Sequence, residues 1–316
     1  MLFILSGLGV GILQPVQVSL NTRLRQFLRS SFYATLISFA IGLGLLVLIL
    51  LPSGGPAAIQ YGKMTAEPLW IWCAGFCGVG FLVSLTLLFP KLGGVQVVIL
   101  PMLGQIIMGI LIDQFALFGS AKIPVTALRL LGMLLIFAGI LIVTLIQKKL
   151  PAEAGSNTDK QSVKKSGLPW KIAGVAIGAF SATQTAINGR VGALLSSPIQ
   201  ASFISFSMGI VLLSVICLCL FIRRKATGYQ HTPELPRVWW MWLGGLIGPV
   251  ILCVNTILAN RLGTGLTVVL FITGQMLGGV LIDQFGLFGV ARNPMNIKKA
   301  AGIVLALLGL VLIRLF

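Results

Sequence analysis

Acidic side chains are scarce here: six Asp and Glu stand against 23 Lys and Arg in 316 residues, with a single histidine, His231. So few carboxylates and one imidazole leave no acid–base pair, no nucleophile–base set and no metal-ligand cluster to assemble. Neither an enzyme nor a bound cofactor or metal is therefore expected. The five cysteines, Cys73, Cys77, Cys217, Cys219 and Cys253, all fall inside apolar runs. That placement excludes a disulfide framework or zinc site and leaves packing as their role. No phosphate loop is present either, because Gly7-Leu8-Gly9-Val10-Gly11 lies within an apolar run and follows no strand. Charge of any sign is short as well, at 9% of residues, where a soluble globule carries about 25%. The net charge of +17 would suit a nucleic-acid partner, yet the basic residues sit in short loops between apolar runs and read as topology signals.

What the chain has in abundance is hydrocarbon: 57% of residues are hydrophobic and the mean hydropathy is +1.03. A spanning helix needs about 20 predominantly apolar residues. Ten segments qualify, at roughly 2 to 20, 32 to 52, 69 to 89, 95 to 117, 126 to 147, 170 to 188, 198 to 222, 239 to 259, 265 to 287 and 298 to 315. The fold expected is an all-α integral membrane protein in a lipid bilayer. The first segment is expected to remain in the mature protein, since it has no basic leader and no small-residue cleavage motif. Trp70, Trp72, Trp170, Trp239, Trp240 and Trp242 all open spans, as interfacial anchors do.

The ten segments are two sets of five. GQIIMGILIDQFALFG, from residue 104, returns as GQMLGGVLIDQFGLFG, from residue 274. Gln17, Asn21 and Arg23 recur as Gln184, Asn188 and Arg190, and Ile37-Ser38-Phe39…Gly42 as Ile204-Ser205-Phe206…Gly209. Trp70, Trp72, Gly75 and Gly78 recur as Trp240, Trp242, Gly245 and Gly248. The organisation expected is residues 1–147 as a first five-helix repeat, 148–169 as a Lys-, Ser- and Pro-containing linker, and 170–316 as a second repeat. An odd number of spans per repeat inverts the second. The loop charges agree: Arg223, Arg224, Lys225 and Arg237 answer Lys63 alone, and Arg23, Arg25 and Arg29 answer Arg190 alone. Counting bases on the two faces places the linker in the cytoplasm and both termini outside. Asp113 then lies toward the outside and Asp283 toward the cytoplasm.

Gln14, Gln17 and Asn21 occupy one narrow stripe of the first helix, and Ser181, Gln184 and Asn188 repeat that spacing in the sixth. Amides in hydrocarbon need partners. Either these stripes face a central cavity and bind substrate, or they bond neighbouring helices. Gln105 and Gln275, near the middle of their spans and each preceded by glycine, join the cavity candidates. Asn255 and Thr256 have no matching amide in the third span, so a site would be asymmetric in detail. Asp113 and Asp283 are coupling or gate candidates, because intramembrane carboxylates mark proton or cation paths. The alternative is structural, with each acid partnering backbone or a base such as Arg129 or Lys299 where FxLFG turns the chain.

These motifs, QxxxNxR, ISFxxG and GQxxxGxLIDQFxLFG, resemble the YdcZ-type family of bacterial inner-membrane proteins in the drug/metabolite transporter superfamily. The resemblance covers both halves and implies an antiparallel two-domain fusion that exports small molecules. The glutamate that binds protons and drug in the first helix of the related small multidrug resistance proteins has no counterpart, since Gln14, Gln17 and Asn21 are neutral. Proton-coupled drug antiport therefore does not carry over. The expectation is a secondary transporter working by alternating access around a neutral polar cavity, with a small-molecule substrate. A channel, a flippase for lipid-linked substrates and a non-transporting membrane subunit are the alternatives. A fused repeat supplies its own antiparallel partner, so a monomer would suffice.

Overall fold

A computed structural model of the chain describes residues 1–28, 30–147, 168–226, 239–289 and 295–315. Most of the expected linker, the loop with His231 and Arg237, and the segment with Arg292 lie outside them. Described residues are helical and contain no strand. The long helices are α1 (Leu2–Leu28), α2 (Ser31–Leu50), α4 (Ala74–Phe115), α5 (Ala127–Gln147), α6 (Leu168–Leu194), α7 (Pro198–Ala226), α8 (Leu243–Leu262), α9 (Thr264–Phe285) and α10 (Ile297–Leu315), with a single turn, α3 (Gly62–Thr65), between α2 and α4. Apolar residues around the full circumference mark these elements as membrane-span or buried helices rather than amphipathic surface helices. By length and composition Leu2–Arg25, Ser31–Ser53, Pro198–Arg223, Trp239–Leu262 and Thr264–Phe285 each suffice to cross a membrane.

Helix ends follow local chemistry that both halves share. The Thr126 hydroxyl accepts the Arg129 N–H at 3.2 Å to start α5, and the Asn296 side-chain carbonyl accepts the Lys299 N–H at 2.9 Å to start α10. Ser197 likewise accepts the Gln200 N–H ahead of Pro198 at the start of α7. At the ends of α4 and α9 the chain turns left-handed at Ala116 (φ 51°) and Gly286 (φ 62°), and again at Phe118 and Phe288 (φ 56° each). Gln114 then accepts the Val125 N–H at 2.7 Å, and Gln284 accepts the Met295 N–H. The duplicated DQFxLFG is thus a helix stop and a pinned turn.

The expected spans at 69 to 89 and 95 to 117 form one helical element, α4, of 42 residues, whereas their counterparts α8 and α9 part at Gly263 (φ 84°). At that break the Thr264 and Gly265 N–H groups are both accepted by Asp113, so the second half can stop and restart its helix without orphaned donors. The two arms of α4 nevertheless run in opposite directions. Gly78 lies against Gln184 and Gly80 against Phe180, counter to the direction of α6; Gly104 lies against Val175 and Gly119 against Arg190, along it. A straight helix would separate Gly78 from Gly104 by about 39 Å, far more than the nine residues of α6 between Val175 and Gln184 allow. The chain therefore doubles back between the arms. Among the described residues nine helices have 19 residues or more.

The halves interlock. α1 packs mainly on α9 and α8, α6 on both arms of α4, α2 on α7 and α8, and α5 on α10, so the principal partners of each half come from the other. Glycines set the closest crossings: a Cβ at Gly11 would stand 2.7 Å from the Gly274 Cα, and one at Gly178 would overlap the Pro101 carbonyl oxygen. Such contacts let helices associate in lipid, where no hydrophobic drive separates helix from solvent.

Candidate functional site

A cavity of about 80 Å³ lies where the halves meet. Its polar lining is Gln14 and Gln17 from α1, Ser181, Gln184 and Thr185 from α6, and Asn255 from α8. Its apolar walls include Phe39, Phe81, Phe206 and Phe271. No lining residue carries a charge. Phe39 and Phe206, the phenylalanines of the duplicated ISF motif, pack on each other at the cavity wall, tilted by 31° with 4.8 Å between ring centroids, within the range over which aromatic rings attract.

Duplicated glycines make room for the glutamines. A Cβ at Gly248 would stand 2.8 Å from Gln17 Nε2, and one at Gly78 would stand 3.0 Å from Gln184 Oε1. Each glutamine thus lies on a bare backbone of the opposite half. The Asn255 Oδ1 is buried and accepts no hydrogen bond among the described residues. Gln184 donates weakly to Ser205 at 3.5 Å.

The other amide candidates lie elsewhere. Asn21 accepts from the Ser38 hydroxyl at 2.7 Å, and Asn188 donates to Ser205 at 3.4 Å. The asparagine end of each stripe is therefore tied to the serine of the next helix, and only the glutamine end reaches the central cavity. Gln105 is 1% exposed, its Oε1 has no partner among the described residues, and neither it nor the half-buried Gln275 borders the cavity.

The acids sit at the helix ends, away from the central cavity. Asp113 is buried, accepts the Thr264 and Gly265 N–H groups at 2.9 Å each, and faces the Arg129 guanidinium at 3.6 Å. In the second half, Lys299 is fully buried and within electrostatic range of Asp283. Each acid thus has its base 16 positions on in the sequence. The motif arginines reach across to the opposite repeat: Arg23 donates through Nε (3.0 Å) and Nη2 (2.8 Å) to the Phe288 carbonyl, while Arg190 packs on Gly119 and pairs through Nη2 with Glu67.

Residues 2–142 and 169–312 match the sequence model of the family described as "Putative inner membrane exporter, YdcZ". The chain belongs to the YdcZ family. YdcZ membership makes it a multi-pass inner-membrane protein and a transporter rather than an enzyme. The crystal structure of a protein 15% identical in sequence superposes on this YdcZ chain with a TM-score of 0.68, covering 99% of this chain and 96% of the other. At that identity the likeness concerns the fold alone. No curated protein matches the chain.

Several lining groups of the YdcZ site escape a sequence reading. Phenylalanine is ordinary in membrane helices, so Phe81 and Phe271 carry no signal; Phe39 and Phe206 did, through their duplication in ISF. Gly78 and Gly248 were visible as repeated small residues, but only the fold shows that they lie under Gln184 and Gln17.

Proposed function

We propose that this YdcZ-family protein is a ten-pass secondary transporter that exports a small neutral or zwitterionic metabolite, its two inverted repeats alternating around the cavity between Gln17 and Gln184. One observation carries the reading: equivalent glutamines from opposite halves, with Ser181, Thr185 and Asn255, converge on a single uncharged cavity walled by aromatic rings. A charged solute would find no counter-ion there, whereas a solute with amide, hydroxyl or amine donors finds acceptors. In the conformation described the cavity, at about 80 Å³, is well below the roughly 300 to 1,000 Å³ of a small-molecule pocket. Solute binding therefore requires the halves to part, as alternating access demands. The interlocked packing gives that motion its form, because any rocking of one repeat must slide α1 on α9 and α6 on α4. Both termini lie outside, the linker lies in the cytoplasm, and the fused repeats let a monomer work.

A thermal-unfolding screen of the purified protein against metabolite pools tests the site. A true substrate raises the unfolding temperature of the parent protein and does not raise that of Gln184→Leu. A compound that stabilises both equally binds elsewhere, and a screen yielding only such compounds rejects this cavity.

A further inference from the structure

The two ends of the central cavity are not sealed alike. At one end a second cavity of about 80 Å³ lies between α1, α2 and the first arm of α4, lined by Asn21, Thr22, Arg25, Ser31, Thr35 and Leu82. The same helix faces line both spaces. Ser31 and Thr35 precede Phe39 by two turns and one turn on α2, and Asn21 and Arg25 extend the stripe of Gln14 and Gln17 on α1. Leu82 borders both cavities. Thr22 and Arg25 at the rim are exposed, whereas Asn21, Ser31, Thr35 and Leu82 are half-buried, so the space narrows from an exposed mouth toward Leu82. Arg23 and Arg25 lie at this end, and the base-rich loop after α1 assigns it to the cytoplasm.

The duplicated corner of the second half is packed shut. In the register of the repeat, Thr35 answers to Ser202, Arg25 to Gly192 and Leu82 to Leu252. Ser202 is fully buried, and its hydroxyl accepts from the Cys253 thiol at 3.2 Å. Gly192 lies so near α8 that a Cβ there would stand 2.5 Å from the Thr256 methyl. Leu252 borders the central cavity but is buried. A larger space of about 290 Å³, beside Asn260 and Thr264, lies beyond this seal and shares no described lining residue with the central cavity. The fully buried Thr256 and Thr267 stand between the two spaces on α8 and α9. One member of a duplicated pair of corners is thus hollow while the other is filled, an asymmetry that the two halves of an alternating transporter would trade during the cycle.

We infer that the cavity between α1, α2 and the first arm of α4 is the vestibule through which solute enters from the cytoplasm, and that Leu82 is the gate between this vestibule and Gln17 and Gln184. An apolar side chain between two polar-lined spaces stops a hydrated solute until the side chain moves. The conformation described is then the loading state, with the opposite end closed by Thr256, Ser202 and Thr267. The inference rests on the proposed transport cycle for the direction of travel. Its test reads access alone and needs no solute.

Thiol modification measures that access, in a full-length parent whose five cysteines are replaced by alanine, held in membrane vesicles of known sidedness. The probe is 2-aminoethyl methanethiosulfonate, a small cationic reagent. Three single-cysteine variants are compared: Thr35→Cys in the vestibule, Ser202→Cys at the equivalent place in the second half, and Ser181→Cys on the wall of the central cavity. Added at the cytoplasmic face, the reagent modifies Thr35→Cys at least about tenfold faster than either of the others, and faster than it does when added outside. Leu82→Ala raises the Ser181→Cys rate from the cytoplasmic face by at least about tenfold, and the equivalent Leu252→Ala leaves it unchanged. Leu82→Val, a smaller trim, carries the gate arm if Leu82→Ala fails to fold. Equal rates at Thr35→Cys and Ser202→Cys, faster modification of Thr35→Cys from outside, or a Ser181→Cys rate indifferent to the trimming of Leu82 overturns the inference. Modification requires no transport, so a parent that fails to show solute counterflow leaves these rates standing, and failure of the rates leaves the transport cycle to be judged by counterflow.

Discussion

Replacing Gln17 and Gln184 together by leucine is expected to lower solute flux about 100-fold, at roughly tenfold for each hydrogen bond lost, while the protein inserts and unfolds as before. The two side chains come from equivalent places in the duplicated sequence and lie on Gly248 and Gly78 of the opposite halves. Leucine is close in volume to glutamine, so the helices need not move to accommodate it. Removing a polar group from hydrocarbon also carries no penalty for the fold. Flux falls because the solute loses its partners, and the effect separates a binding cavity from interhelical hydrogen bonding. If the glutamines merely held the bundle together, the double variant would lose stability along with transport. Radiotracer efflux from reconstituted vesicles, paired with unfolding of the same preparations, reads both quantities. Parent-like flux would remove the glutamines from the site.

Asp113→Ala is expected to destabilise the protein by about 3 to 5 kcal/mol, the range for breaking a buried ion pair from one side. The Thr264 and Gly265 N–H groups at the start of α9 lose their acceptor, and Arg129, which is 6% exposed, loses its counter-ion and keeps only the Ile123 and Pro124 carbonyls. The break after Gly263 then has nothing to close it, and a buried guanidinium is left uncompensated. Asp113→Asn keeps one acceptor oxygen and is expected to cost about half as much. Denaturant unfolding in detergent micelles measures the difference. A loss below about 1 kcal/mol, the scale of an exposed pair, would show that Asp113 is not the anchor of this corner.

The contacts that Asp113 makes were only half legible in the sequence. Duplication of DQFxLFG and its position near the span ends pointed to matched turns, and Arg129 and Lys299 were visible as bases 16 residues on. The backbone groups that Asp113 binds belong to α9 of the other repeat, more than 150 residues away, and no local pattern announces them. The amide stripes were legible as stripes but not in their division. Gln17 and Asn21 share a helix face, and whether each meets solute or serine depends on where α2 and α8 cross it. The crossing points are set by glycines such as Gly11 and Gly274, whose spacing reads only as close packing until the partner helix is known. That the two arms of α4 join without the break found at Gly263 was not legible either, because the sequence there is as apolar and as glycine-marked as in the α8–α9 pair. Arg190 and Arg23 share their place in the QxxxNxR motif. Their different partners, Glu67 and the Phe288 carbonyl, exist only in the folded chain.

The central claim is that the halves alternate around one saturable site. Solute counterflow tests it most directly, using a metabolite selected by the stabilisation screen. Liposomes containing the protein are loaded with unlabelled solute and diluted into labelled solute. The account predicts transient accumulation of label above its equilibrium level, saturating with solute concentration and absent in Gln17→Leu/Gln184→Leu. Label that merely equilibrates, at a rate linear in concentration and indifferent to solute on the opposite side, would mark a pore and contradict it.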